Sequence, residues 1–229
     1  KKIPEKFNFS WNSEAKINFK FELKLTSFGH CGLFFEQAVL WNLIQKLVTE
    51  QKKQVEPPTF LNLFGYTGAA SIIAAKAGAQ VTHIDSAKGV LTWGKSNAQL
   101  NQIPEGQIKW IQEDALIYVK NAIKRNIKFD GILADPPSWG HGVKNEVWNF
   151  EDHMGELVSG ISKILKPQKS FFLLTSHTHG VQAHALENMM KERFPKRDMQ
   201  YGDLGIKHAF DDRILPAGIY SLCSDQLTL

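Results

Sequence analysis

Apolar and polar positions first alternate strictly: Ile17, Phe19, Phe21, Leu23 and Leu25 are separated by Asn18, Lys20, Glu22 and Lys24. A period of two puts successive side chains on opposite faces, so this segment predicts a strand with one buried and one wet face. Ser27-Phe28-Gly29-His30-Cys31-Gly32 then has the composition of a turn. From Gln37 to about Lys53 the period changes. Leu40, Trp41, Ile44, Leu47 and Val48 recur at helical spacing, and Glu56-Pro57-Pro58 ends the helix.

Further along, short apolar runs without a polar face appear at Phe60–Phe64, Val81–Ile84, Ile108–Ile111, Phe129–Ala134 and Ser170–Thr175. Segments of helical composition follow or separate them, near Ala69–Ala77, Lys88–Asn101, Ala115–Arg125, Phe150–Leu165 and Val181–Phe194. Strands buried on both faces and alternating with helices require a parallel sheet covered on both sides. Met199–His208 and Gly218–Cys223 are strand-like with no long helix between them, and are expected to pair antiparallel at one edge. The fold class is therefore α/β: a Rossmann-like, mostly parallel, seven-stranded sheet with an antiparallel C-terminal edge pair. Gln51–Pro58 is the linker candidate, dividing a small N-terminal strand/helix extension, 1–57, from a core domain, 58–229.

Composition changes this picture little. The 229 residues suffice for one substantial core, and the net charge of +4 mildly favours a polyanionic partner. Cys31 and Cys223 are far apart and form no CxxC or Cys/His pattern, so neither a disulfide framework nor a zinc site is expected. No apolar run approaches the ~20 residues that span a bilayer, and Lys1 to Asn8 lack a signal-peptide stretch. A cytoplasmic protein without a membrane partner is expected. The opening Lys1-Lys2, in place of Met, raises the expectation of a preceding segment.

Open α/β sheets bind ligands beyond the carboxyl ends of their strands. The loop after the first core strand contains Asn62-Leu63-Phe64-Gly65-Tyr66-Thr67-Gly68, a G-x-x-G spacing rather than the G-x-G-x-x-G of a dinucleotide cradle, and no Walker lysine follows. Asp85 ends the second core strand, where a carboxylate can accept both ribose hydroxyls of a nucleoside. Such a pair also occurs in many doubly wound proteins of other function. Glu113-Asp114 follows the third core strand, and Asp114 reads either as a helix N-cap alone or as a further strand-end ligand. Asp135-Pro136-Pro137-Ser138-Trp139 follows the fourth. Consecutive prolines stiffen that loop and leave carbonyls free to accept hydrogen bonds, an array suited to an exocyclic amine or ring nitrogen of a planar base. A plain strand-ending turn with a packed Trp139 is the alternative.

This ordered series resembles the motif series of class I S-adenosylmethionine-dependent methyltransferases, and closely resembles the bacterial family that includes ribosomal large-subunit RNA methyltransferases. The resemblance extends to Phe28-Gly29-His30-Cys31-Gly32-Leu33-Phe34-Phe35-Glu36-Gln37 and to Leu215-Pro216-Ala217-Gly218, and covers roughly residues 17 to 225. It implies S-adenosyl-L-methionine as cofactor and RNA, ribosomal RNA above all, as partner. Phe64, Gly65, Thr67 and Gly68 would wrap the methionine part, Asp85 would hold the ribose, Ser86 would flank the adenine and Asp114 would meet its amine. Asn62, Tyr66, Asn97 and Glu113 would complete the cofactor site, and Gln37 would reach it from the N-terminal side. Asp135, with Pro136 and Pro137, would face the methyl-accepting atom, with Trp139 and His177 on the substrate side.

One departure narrows the chemistry. Relatives that methylate carbon 5 of cytosine place a nucleophilic cysteine after the fifth strand, where this chain has Thr175-Ser176-His177-Thr178-His179. Transfer to a base heteroatom, nitrogen or oxygen, is expected instead. His177, His179 and His184 lack the neighbouring ligands of a metal site, and no metal is expected. Lys191, Arg193, Lys196 and Arg197 read as a solvated helix end or a phosphate contact. The competing functions are methylation of a protein or small molecule, and an inactive RNA-binding module that kept the fold.

Overall fold

A computed structural model describes residues 4–26, 29–143 and 146–225. Lys1, Lys2, Ser27 and Phe28, named above, lie outside the described residues. The chain opens with an antiparallel hairpin of β1 (Lys6–Asn12) and β2 (Asn18–Lys24). β2 is the alternating segment: Phe19, Phe21 and Leu23 are buried while Asn18, Lys20, Glu22 and Lys24 are not. β1 was not expected, and its apolar face, Phe7, Phe9 and Trp11, is only partly covered, leaving Phe7 exposed. A 3-10 turn, Phe35–Gln37, leads into α1 (Ala38–Lys52), whose buried stripe contains the five residues picked out by helical spacing.

Seven strands then form the central sheet. In chain order they are β3 (Thr59–Leu63), β4 (Gln80–Asp85), β5 (Ile108–Gln112), β6 (Gly131–Ala134), β9 (Phe171–Ser176), β10 (Asp198–Lys207) and β11 (Ile214–Ser224). Their spatial order is β10-β11-β9-β6-β3-β4-β5, with β11 antiparallel to both of its neighbours, β10 and β9, and the remaining pairs parallel. The helices are α2 (Ala69–Lys76), α3 (Lys88–Leu100), α4 (Ala115–Lys124), α5 (Phe150–Ile164) and α6 (Ala183–Arg193).

Each core strand feeds two hydrophobic clusters, which explains its unbroken apolar run. Phe60, Val81, Ile108, Leu133, Phe171 and Leu173 join α1, α2 and the N-terminal hairpin. Leu61, Leu63, Ile84, Ile132, Phe172 and Leu174 join α4, α5 and α6. Burying one large side chain contributes about 1.5–3 kcal/mol, so these two layers dominate stability. The N-terminal extension is part of the first layer rather than a separate core. Polar ties reinforce it: Asn97 Oδ1 accepts from the Glu22 N–H and Asn101 Oδ1 from the Lys20 N–H, both at 2.9 Å.

Three local differences from expectation have simple causes. The edge strand β11 starts at Ile214, before Pro216, because Pro is tolerated in an irregular, bulged hairpin stretch. A short hairpin, β7 (Trp139–His141) with β8 (Val147–Asn149), was hidden by its three-residue strands and glycines. The C-terminal basic cluster disperses: Arg197 turns inward onto the carbonyls of Lys166, Pro167 and Ser170, while Lys191 pairs with Glu187 and Arg193 with Glu192. Among the described residues, no helix is long and apolar enough to cross a membrane.

Candidate functional site

Strand order reverses beside β3, which lies between β4 and β6. Loops leaving the carboxyl ends of β3, β4, β5 and β6 therefore splay apart there and open a crevice. The β3–α2 loop is its floor. Phe64 (φ 56°) and Tyr66 (φ 50°) both adopt left-handed backbone, which costs a non-glycine residue of order 1–3 kcal/mol and is held only where surroundings dictate it.

Those surroundings are visible beneath the loop. A Cβ on Gly65 would lie 2.3 Å from the His83 ring, so only glycine lets the backbone cross it. His83 is fully buried on β4, and burial drives its imidazole down to about 3, keeping it neutral. Ser71 accepts from Asn62 Nδ2 at 2.9 Å and can then donate its single hydrogen to His83 Nδ1, also at 2.9 Å. This relay ties β3, α2 and β4 together. Asn62 Oδ1 and His83 Nε2 remain buried without a partner among the described residues.

Asp85 ends β4 and organises the same loop from above. Its Oδ2 accepts the Tyr66 N–H and its Oδ1 the Ala87 N–H, each at 2.9 Å. Burial raises its pKa, and the backbone hydrogen bonds oppose that rise. Asp114 caps α4, Oδ1 accepting the Ile117 N–H at 3.0 Å, and the residue also lines the crevice. Glu113 lines it too, with Oε1 accepting from the Asp114 N–H at 3.2 Å. The β7–β8 hairpin closes that end. Gly140, His141 and Gly142 face the cavity, and the Ser86 hydroxyl holds the hairpin through the His141 carbonyl at 3.1 Å.

At the end of β6 several elements converge on one carboxylate. Asp135 Oδ1 accepts a hydrogen bond from the Thr175 hydroxyl and lies 3.3 Å from His177 Nε2, both from the end of β9. Asp135 Oδ2 accepts from Gln37 Nε2 at 3.1 Å. The Pro137 carbonyl is occupied by Trp148 Nε1 at 2.6 Å, whereas no donor among the described residues reaches the Pro136 carbonyl. Trp139 is 59% exposed.

Two adjoining cavities result. The larger, of about 410 Å³, runs from Asp114 and Ser86 past Asp85 to Asp135, Pro136 and His177. The smaller, of about 40 Å³, lies beside Asn62, Gly65, Thr67, Gly68 and Gln37. Phe34, Phe64, Tyr66 and Asp135 line both. The combined space is in the range of small-molecule sites, ~300–1,000 Å³.

Most residues singled out from sequence thus surround one space. Asn97 and Trp139 do not line it. Asn97 instead braces the loop, donating to the Thr67 carbonyl at 3.1 Å while accepting from Glu22. His177 lines the larger cavity, yet its ring nitrogens face Asp135 and the Ala217 carbonyl. Sequence reasoning left His30 open between a site role and N-terminal packing, and missed Thr175, Glu36, Phe34 and the 139–149 hairpin. Only the polar end of the β9 run hinted at Thr175. His184 bonds to Tyr201, away from His177, and among the described residues no three His, Cys, Asp or Glu are grouped to hold a metal ion.

A family model described as S-adenosylmethionine-dependent methyltransferase matches residues 9–167. A curated relative, the ribosomal RNA large subunit methyltransferase K/L of Shewanella frigidimarina, is 35% identical over 65% of this chain and 20% of its own length. Its Legionella pneumophila (strain Corby) counterpart is 32% identical over 69% of this chain and 22% of its own. The chain thus spans about a fifth of these relatives. The crystal structure of an S-adenosylmethionine-dependent methyltransferase from Agrobacterium tumefaciens superposes with a TM-score of 0.89 at 31% identity, covering 99% of this chain and 72% of that one.

Proposed function

The chain belongs to the S-adenosylmethionine-dependent methyltransferase family, and from that premise we propose that it methylates a base heteroatom of RNA at a site headed by Asp135. The cavity residues suit the cofactor. Asn62 Oδ1 is a buried acceptor beside the smaller cavity with no donor among the described residues, and the ammonium of a methionine moiety would supply one. Asp85 would take the ribose hydroxyls on the lone pairs its two backbone donors leave free. Asp114, with one oxygen spent on the α4 cap, would take the adenine amine with the other. The cofactor supplies an electrophilic methyl group on a sulfonium; the rest of the chemistry is positioning by this chain.

The observation carrying the acceptor assignment is the anchored Asp135 carboxylate beside the Pro136 carbonyl, which no donor among the described residues reaches, where the two cavities meet. Two rigid acceptors side by side orient an N–H-bearing nucleophile and keep its lone pair on the methyl. No thiol competes for that role. Burial in β11 pushes Cys223 up to about 12, and neither cysteine lines either of these two cavities. The relatives' names and the exposed Trp139, a ready stacking surface for a base, support RNA over other acceptors. The N-terminal extension, read as residues 1–57, takes part through Gln37.

Incubation with radiolabelled S-adenosylmethionine, total RNA and total protein tests the reading. Label in the RNA fraction is expected. Label confined to protein or small molecules would replace the acceptor class, and calorimetry without cofactor binding would overturn the premise.

A further inference from the structure

Resting on that reading, we propose that His177 is a positioning residue, held as a doubly donating imidazolium between the Ala217 carbonyl and the Asp135 carboxylate, and fixing Asp135 for the acceptor. The ring leaves little choice of role. Nδ1 lies 2.6 Å from the Ala217 oxygen, and a carbonyl only accepts, so Nδ1 carries a hydrogen. Nε2 lies 3.3 Å from Asp135 Oδ1 and 3.3 Å from Gln37 Nε2. A neutral ring could accept there the second amide hydrogen of Gln37, whose first goes to Asp135 Oδ2 at 3.1 Å, but its Nε2 lone pair would then stand against the Asp135 Oδ1 acceptor. Donation from Nε2 to Oδ1 removes that conflict and, with Nδ1 already protonated, requires the cation.

The charges around the ring agree. Asp135 approaches from the end of β6, and Glu36, from the turn before α1, has Oε1 3.9 Å from Nδ1. Beyond these, Phe34 stacks on the ring with centroids 6.2 Å apart, and Tyr66 and His30 stand behind Phe34. The hydrogen bond to Asp135 raises His177 to about 9 against the opposing effect of burial. The backbone is shaped for this contact as well: Gly218 has φ +152°, and a Cβ there would stand 2.7 Å from Nδ1. Any other residue would push β11, and the Ala217 carbonyl with it, off the ring.

The consequence concerns what Asp135 can offer. A carboxylate has about four acceptor positions. Thr175 and His177 occupy those of Oδ1, and Gln37 takes one on Oδ2. One position on Oδ2 remains, so the acceptor engages Asp135 through a single N–H, and the neutralised pair acts as an oriented acceptor rather than a strong base.

Nuclear magnetic resonance of ¹⁵N-imidazole signals tests the pair without turnover. His177 is expected to hold both protons at neutral pH and to titrate near 9, and in Asp135→Asn to return to the ordinary histidine range of about 6.5. Kinetics tests the role. His177→Gln should lower kcat by about 100-fold, the scale of an ångström's misplacement. Cofactor affinity should stay within about twofold, because no cofactor contact is assigned to His177, and the high-pH limb of the wild-type profile should vanish. A His177 titrating in the ordinary range, or a His177→Gln variant with wild-type kcat and pH profile, overturns the inference. Failure of the wild type to methylate RNA would instead count against the proposed function, and the resonance measurement separates the two.

Discussion

Gly65→Ala tests how the cofactor loop is supported. The new Cβ would stand 2.3 Å from the His83 ring, where ordinary contact begins at 3.4 Å, so the ring must retreat by about 1 Å. Retreat is obstructed. The Trp110 ring lies 4.4 Å from His83 by centroids, Ser71 holds Nδ1 at 2.9 Å, and the imidazole has no exposed surface. Overpacking of this kind costs about 1–3 kcal/mol, and losing the Ser71 bond about 1 kcal/mol more. A total of roughly 2–4 kcal/mol corresponds to a fall in Tm of about 5–15 °C for a domain of this size. Thermal denaturation reads the stability. Calorimetry reads the accompanying loss of cofactor affinity, since Phe64 and Tyr66 flank the altered residue. His83→Ala should relieve the clash, so the double variant should be more stable than the sum of the two single effects by at least about 1 kcal/mol. A Gly65→Ala protein with wild-type Tm, or strictly additive effects, would refute this account of the loop.

Three other outcomes follow from the same geometry. His83 has a folded-state pKa of about 3, below its unfolded value, so the unfolded chain binds a proton that the native protein refuses. Stability should therefore fall as pH drops below about 6.5, by up to about 1.4 kcal/mol per unit from this group; urea midpoints should show a shallower pH slope in His83→Gln, and identical slopes would contradict the assignment. Asp85→Asn turns an amide N–H₂ toward one of the N–H groups of Tyr66 and Ala87 and removes a charge-assisted acceptor, so cofactor Kd by calorimetry should rise about 10- to 150-fold. Trp139→Ala removes an exposed indole, so Tm should hold while RNA affinity in a filter-binding assay weakens about 5- to 150-fold.

The core of this molecule was legible because inner strands such as β3, β6 and β9 are buried on both faces. Runs such as Phe60–Phe64 and Phe129–Ala134 have no polar face to confuse the period, and their carboxyl ends carry Asp85, Asp114 and Asp135 in order. The β7–β8 hairpin was not legible, since three-residue strands carry no usable period. β1 did alternate, Phe7, Phe9 and Trp11 against polar neighbours, but its apolar face is only partly covered. Side-chain partnerships were the least accessible. Gln37, Thr175 and His177 meet Asp135 only because the turn before α1, the end of β9 and the end of β6 are brought together by the fold. Asn97 illustrates the converse: the family resemblance implied a cofactor contact, whereas its amide joins Glu22 of β2 to Thr67 of the loop.

The central claim is that Asp135 orients a base heteroatom toward the cofactor's methyl group without holding the cofactor itself. Mass spectrometry of nucleosides, after RNA is incubated with methyl-deuterated S-adenosylmethionine and either the wild-type protein or Asp135→Ala, measures this directly. Deuterated methyl on a base nitrogen or oxygen is predicted with the wild type, and none with a variant whose cofactor Kd is unchanged. Equal labelling by both proteins, or a methyl group found on carbon, would contradict it.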